Sequence, residues 1–503
     1  MSVEPRGTEL RSEVLAALRS TLSESDVAGV EKCATRLQEA LPRQQVADNV
    51  VMVAYGGGKD SSYTLAFVRA VQLCLFDRLG TTFKLRSATN RHAGMPQAVM
   101  DNIDRAYTAL GMTGDPDCEM LLIDGPAVKH FAHDEPLPAQ IVDRNRLDLL
   151  MTGHRTFGEA RPTFCNACNL SMVNSFGAAA AHGAGVDVII TGDSPEEQRA
   201  YSWWIRRLSR KVNPHQRRRT GAGFRGFLQD TDMIASAYFA EVYGPEANAE
   251  ISERAVTSDV SEDIRFFSIF DDTRYSSGEH WALLTDLLRF EFDEVAFSFT
   301  ESDCGNPTIM AHLRALKSER VHGREYAEGL AEYVDFALSL MRVKEFPENL
   351  IEVMRRRYRG PDAAARMRAV AGGFAEEAYG LTEEQLVCML HSPFTDKGQR
   401  LEAYLEAEQP QLASQADTVR SLLDGEGEPM DRTEAELVPR LVEIAGLELS
   451  RLRTLYRAEA VRFSPNGGPS MMAAILEGDP HKAEIRTRLS PDGPEVIQLA
   501  TGR

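Results

Sequence analysis

Three glycines run into charge and hydroxyl in Gly56-Gly57-Gly58-Lys59-Asp60-Ser61-Ser62. Glycines let a backbone approach phosphate closely, and their N–H groups, with a helix N-terminus behind them, form an anion cradle. Lys59 carries the charge to neutralise phosphate, and Asp60 is a hard oxygen ligand of the kind that holds Mg²⁺. The run is not a Walker A loop. That motif needs a Gly separated by four residues from its Gly-Lys pair, with Ser or Thr next; Val53 and Asp60 occupy those places.

A second constellation is sulfur. Cys165 and Cys168, in Phe164-Cys165-Asn166-Ala167-Cys168, read as the opening of a helix. The spacing puts two thiols on one side, suited to Zn²⁺ or to one edge of an iron–sulfur cluster, with thioredoxin-type redox as another use. No second Cys-x-x-Cys exists. Cys304, among turn residues after an expected strand at 294–299, is the best third ligand. Cys33, Cys74, Cys118 and Cys388 read as core or surface thiols. His130 and His133 could pair on a metal if a helix carried them.

The third is a basic stretch: Trp203-Trp204-Ile205-Arg206-Arg207, Arg210-Lys211, Arg217-Arg218-Arg219 and Phe224-Arg225. Arginine matches phosphate and carboxylate, and adjacent aromatics stack on bases. An anionic substrate, pyrophosphate or RNA would fit it; so would a plain solvated helix face. Arg355-Arg356-Arg357 reads as a solvated face.

These groups need elements to position them. Val50-Val51-Met52-Val53-Ala54 is a continuous apolar run ending in glycines, the pattern of a buried parallel strand feeding a turn and then a helix over 63–75. Further strands are expected at 83–88, 120–123 and 186–191, with helices near 100–110 and 172–182. Strands alternating with helices give an open parallel α/β sheet. Ligands in such sheets bind beyond the carboxyl ends of the strands. The glycine turn and Thr191-Gly192-Asp193-Ser194-Pro195 both follow strands, so both can face one crevice. Residues 1–45 read as a helical cap, 46–233 as the nucleotide-binding domain, 234–345 as a helical extension carrying Cys304, and 346–503 as a mainly helical region. Helices are expected at 326–341, 350–357 and 435–458, the last broken near Gly446, and a hairpin pairs 485–489 with 495–499.

The order Gly-Gly-Lys-Asp-Ser after a buried strand resembles the PP-loop of the N-type ATP pyrophosphatases, whose pattern is Ser-Gly-Gly-x-Asp-Ser. Gly56, Gly57, Gly58, Lys59, Asp60 and Ser61 match it, and Gly56 departs from the usual first Ser, a contact that Ser62 could replace. The resemblance covers roughly 46–198 and implies a Rossmann-like (HUP) domain that cleaves ATP to AMP and pyrophosphate. It implies catalytic roles for Lys59, Asp60 and Ser61. By the same resemblance, adenine would pack near Ser87, Ala88 and Thr89, and Gly192 and Asp193 would form a nucleotide-side loop. The glycine turn, the Cys pair and a distant single Cys together resemble the tRNA cytidine thiolases, which implies a 4Fe–4S cluster on Cys165, Cys168 and Cys304, zinc being the alternative. Gly192-Asp193-Ser194-Pro195-Glu196-Glu197 also resembles a loop of the enzymes that amidate N-acetyl sugars.

The net charge of −19 disfavours non-specific attraction to nucleic acid or anionic membrane. No apolar run reaches the roughly 18 residues a membrane span needs. The N-terminus lacks a signal-peptide pattern, and seven cysteines is an odd count, so the expectation is a cytoplasmic protein without a disulfide framework. The expected chemistry is adenylation of a carbonyl or carboxylate oxygen, followed by displacement of AMP by nitrogen or sulfur. The acceptor would be a small molecule or peptide; tRNA thiolation through the cluster and a non-catalytic nucleotide-binding partner protein are the alternatives. A homodimer is compatible with the helical region.

Overall fold

In a computed structural model, the chain is described over residues 4–192, 194–214, 223–244, 247–255, 260–273, 280–291, 293–295, 306–343, 345–426, 432–461, 470–477 and 482–501. Six strands form one sheet: β1 (Val50–Ala54), β2 (Lys84–Arg91), β3 (Cys118–Asp124), β4 (Ala127–His130), β5 (Val188–Thr191) and β6 (Arg265–Ser268), in the order β4-β3-β2-β1-β5-β6. All neighbours run parallel except β4, which returns antiparallel from β3 across Gly125-Pro126. The architecture is α/β, compatible with a Rossmann-like fold.

The sheet is buried on both faces, which is why β1 is apolar without alternation. Val51 and Val53 pack on one face with α1 (Glu4–Thr21), α2 (Glu24–Ala40), α3 (Lys59–Leu79) and α4 (Gln97–Ala109). Val50 and Met52 pack on the other with Ala88, with Ala179 and Ala180 of a long later helix, and with Phe224 and Leu228. The expected N-terminal cap therefore belongs to the sheet's own core: Val14, Leu18, Val30 and Leu37 are buried there.

After β4 come α5 (Ala139–Thr156) and α6 (Ala160–Ala181), and after β5 come α7 (Pro195–Val212) and α8 (Gly223–Tyr243). The helix expected at 172–182 is thus the end of α6, which starts at Ala160. Cys165 and Cys168 lie past its first turn, not at its opening. His130 ends β4 and His133 follows in a loop, so no helix pairs them; the Asp124–Ala127 turn closes a hairpin there instead.

The rest of the chain is helical: α9 (Asn248–Ser252), α10 (Pro307–Leu316), α11 (Tyr326–Val343), α12 (Glu348–Arg357), α13 (Ala363–Tyr379), α14 (Glu383–His391), α15 (Leu401–Glu408), α16 (Ala416–Asp424), α17 (Arg432–Ala445), α18 (Leu449–Arg457) and α19 (Met471–Glu477). The helix expected over 435–458 is α17 and α18, parted at Gly446 (φ +68°). β7 (Lys482–Arg488) and β8 (Glu495–Thr501) form the expected hairpin. Of the strand expected at 294–299, residues 294 and 295 are irregular and the remainder lies outside the described residues. One buried cluster joins α5, α6 and α8 to α10–α19, so it crosses the expected boundaries at 234 and 346. Among the described residues, no helix is long and apolar enough to cross a membrane.

Candidate functional site

The sheet winds outward from β1 in both directions, through β2 and β3 on one side and β5 and β6 on the other. The strand order reverses between β1 and β5, and the carboxyl ends of that pair define the crevice where open α/β sheets bind ligands. The glycine turn lies at the end of β1. Gly57 has φ +76°, and a Cβ there would stand 2.7 Å from Ile103 Cγ1 on α4. Both the backbone conformation and the close approach require glycine.

Gly58 is the N-cap of α3 and offers no side chain to it. The first N–H groups of α3 are therefore available to a ligand. Lys59 is the first helical residue, 3% exposed, with Nζ 3.2 Å from Asp60 Oδ1 and 5.7 Å from the centre of the Trp281 ring. The Asp60 carboxylate is 73% exposed. Ser61 Oγ donates to Gly58 O at 3.0 Å.

Ser62, the residue that could replace the first serine of the pattern, points into the core. It is buried; its Oγ donates to Gly58 O at 2.8 Å and stands 3.2 Å from the Tyr55 hydroxyl. It fastens the turn to the core. The loop after β5 reaches the same place, since a Cβ on Gly192 would lie 2.5 Å from Thr64 Oγ1 in the first turns of α3. Asp193 lies outside the described residues. Ser194 caps α7 through a capping box with Glu197, the two reciprocal bonds being 3.2 and 2.8 Å long.

Ser87, Ala88 and Thr89 are fully buried in mid-strand. Ser87 Oγ lies 2.9 Å and Thr89 Oγ1 3.3 Å from the Tyr107 hydroxyl, and Thr89 Oγ1 also donates to Tyr55 O at 2.8 Å. The strand runs on to Arg91, so its carboxyl end is carried by Asn90 and Arg91 instead. These two, with His92, reach a cavity of about 240 Å³ at the ends of β2 and β3, walled by α5 and α6. Its polar lining includes Asn145, Asp148, Ser171 and Arg254. Arg254 grips Asp148 at 2.7 and 2.8 Å, and the Tyr243 hydroxyl donates to the same carboxylate, which raises the phenol's own pKa well above its ordinary value through burial and that negative charge.

The described thiols are poorly suited to be ligands or nucleophiles. Burial, joined by the Glu31 carboxylate, pushes Cys74 up to about 11; burial pushes Cys118 and Cys388 up to about 12 and raises Cys33 as well. Cys165 and Cys168 are three positions apart on α6, but their side chains, and Cys304 altogether, lie outside the described residues. Among the described residues no group of three potential metal ligands occurs.

Sequence reasoning missed Asn90, Asn145, Arg254 and Trp281. Asn90 had a signal, a polar run directly after a buried strand. Arg254 and Asp148 are 106 residues apart, and nothing local joins them.

α7 carries the described part of the basic stretch. Arg199, Trp203, Arg206 and Arg210 are all exposed and fall at helical spacing along one face. Trp203 is 57% exposed, with the Arg207 guanidinium 5.5 Å from its ring centre. Arg217, Arg218 and Arg219 lie outside the described residues.

No protein-family model matches the chain, and a search of curated proteins finds no match.

Proposed function

We propose that the chain is an AMP-forming ATP pyrophosphatase of the PP-loop type that activates the carbonyl or carboxylate oxygen of a small molecule or peptide. That oxygen attacks the α-phosphorus of ATP; a P–O bond forms to the acceptor, the α–β bridging bond breaks, and pyrophosphate leaves with its electron pair. A nitrogen or sulfur nucleophile then adds to the activated carbon and expels AMP. The observation that carries this reading is the sequence Gly56–Ser61 set at the carboxyl end of β1, beside the strand-order reversal, with Lys59 opening α3.

The turn's N–H groups and Lys59 are donors only, so they favour the charge that develops on departing pyrophosphate. Asp60, a largely exposed carboxylate beside Lys59, fits a Mg²⁺ site that is completed by phosphate and water. There the ion would supply positive charge to the leaving group. The reaction as written needs neither a cluster nor zinc. Incubation with Mg²⁺, ATP and candidate acceptors is expected to yield AMP and pyrophosphate; orthophosphate as the sole product overturns the reading.

The α7 face favours one second reading, iron–sulfur-dependent tRNA thiolation. Exposed Arg199, Arg206 and Arg210, with no ion pair among the described residues, beside an exposed tryptophan in a chain of net charge −19, suit phosphates and unstacked bases. Anaerobic purification separates the two. Iron in the protein together with tRNA that high salt releases supports thiolation; a colourless protein free of iron and RNA removes it.

A further inference from the structure

The cavity on the α6 side of the sheet has a consistent electrostatic design. Each arginine and carboxylate that lines it is already matched. Arg91 holds Asp124 at 2.9 and 2.7 Å, Arg144 holds Glu253 at 2.6 Å, and Arg254 holds Asp148. A charged ligand entering would lose hydration and meet no unmatched counter-charge.

Among the groups the wall leaves open are amides. The Asn90 side chain has no hydrogen-bond partner among the described residues. Asn145 Oδ1 accepts the Ala93 N–H at 2.9 Å, which fixes the group, while its Nδ2 has no partner among the described residues. Asn90 shares its face of β2 with Ala88, the face covered by α6. It directly follows Thr89, whose hydroxyl is tied to Tyr55 O at the start of the glycine turn. The cavity therefore opens at the carboxyl end of the strand that pairs with β1, which carries the glycine turn, and α6, which forms its other wall through Ser171 and Asn174, also carries Cys168 one turn earlier.

We infer that this cavity is the acceptor pocket, and that Asn90 and Asn145 select an uncharged small molecule by an amide or lactam edge. A carboxamide presents a donor and an acceptor side by side and pairs with a neighbouring N–H and C=O in two bonds, as asparagine does on an adenine edge. Two amide groups left unpaired discriminate against ligands that lack the complementary groups. At about 240 Å³ the space lies below the roughly 300–1,000 Å³ typical of ligand pockets, so it admits a compact molecule. The acceptor role rests on the AMP-forming reading; the preference for a neutral amide edge does not.

The test uses the full chain and 2-pyrrolidone as probe, titrated by saturation-transfer NMR, with acetate and methylammonium as charged comparators. Pyrrolidone is expected to bind the wild-type chain more tightly than either ion. Asn90→Asp and Asn145→Asp keep the side-chain shape and replace the donor, and each is expected to weaken pyrrolidone at least tenfold with Tm unchanged. A non-hydrolysable ATP analogue is expected to bind without displacing the probe. Equal binding of acetate or methylammonium, or unchanged affinity in both variants, overturns the inference. Displacement of pyrrolidone by the analogue also overturns it and assigns the cavity to the nucleotide base. If either variant lowers Tm, a crystal soaked with pyrrolidone decides: density against Asn90 and Asn145 supports the inference, and an empty cavity overturns it. Pyrophosphate release is measured separately, so a failed AMP-forming reading leaves the binding result standing, and the reverse.

Discussion

The glycine turn and the cavity stand at the same edge of one sheet, at neighbouring strands, yet they treat charge in opposite ways. The turn presents helix N–H groups and one lysine, with Asp60 turned largely to solvent. The cavity wall pairs every arginine with a carboxylate and leaves amides open among the described residues. A site for polyphosphate gains from the open N–H groups of a helix N-terminus. A site for a neutral molecule gains from a wall whose charges are already balanced, because buried unmatched charge would draw in the wrong ligand or destabilise the fold. On the proposed reading, the two sites divide one reaction between an anion cradle and a neutral pocket.

Breaking the balance of the cavity wall should have the largest effect. Asp148→Ala leaves the Arg254 guanidinium, only 3% exposed, without its carboxylate. Stability is expected to fall by about 3–5 kcal/mol, read from denaturant midpoints. Asp148→Leu with Arg254→Met should recover most of that loss. A single-variant cost below about 1 kcal/mol would show that the pair does not set the balance.

The complementary change is Lys59→Met in the turn. Pyrophosphate release is expected to drop roughly 10²–10³-fold, the range found when one preorganised donor to a developing anion is removed. An unchanged rate would place Lys59 outside the reacting centre.

How legible these two sites were in the sequence differs for a physical reason. The turn is local: strand, glycines, Lys59, Asp60 and helix follow one another, and each residue type has its own reason to be there. β1, β3 and the Gly446 break were legible on the same grounds. The cavity is not local. It joins Asn90, Asn145, Ser171 and Arg254 from four separate elements, and only packing brings them together. β4 and β6 escaped notice because each is only four residues long, and β4 is half polar through Lys129 and His130. Most helices beyond α12 escaped because their apolar stripes belong to one shared core and carry no separate marker.

pH gives a third contrast, on the cavity side of the molecule. His154, on the α5 wall helix that also carries Asp148, is fully buried with neither ring nitrogen partnered among the described residues. Burial pushes its pKa down to about 3. Below the unfolded value near 6.5 the unfolded chain takes up a proton that the folded chain refuses. Stability is therefore full above that value and is lost as pH falls from about 6.5 toward 3. For this one group the loss between pH 7 and 5 is roughly 2 kcal/mol. Urea unfolding at the two pH values should show it, and His154→Leu should make the fall shallower; an identical slope would assign the loss to other groups.

The smallest effect bears most directly on the turn. If the turn binds phosphate through N–H groups and Lys59, Ser62 acts only as its fastening. Its hydroxyl bridges Gly58 O and the Tyr55 hydroxyl inside the core. Ser62→Ala removes both bonds and strands the buried phenol, at a cost of about 1–2 kcal/mol. The KM for ATP is expected to stay within about threefold, because a shift of 1.4 kcal/mol in binding would be needed for a tenfold change. Denaturant midpoints and steady-state pyrophosphate release measure the two quantities on the same preparation. A stable variant with a tenfold higher KM would return Ser62 to the phosphate-binding set. It would also mean that the Gly58 carbonyl and Tyr55 give up the hydroxyl when ATP arrives. An unstable variant with normal KM keeps the division intact: the backbone and Lys59 meet the nucleotide, and Ser62 holds the strand and helix at the angle that presents them.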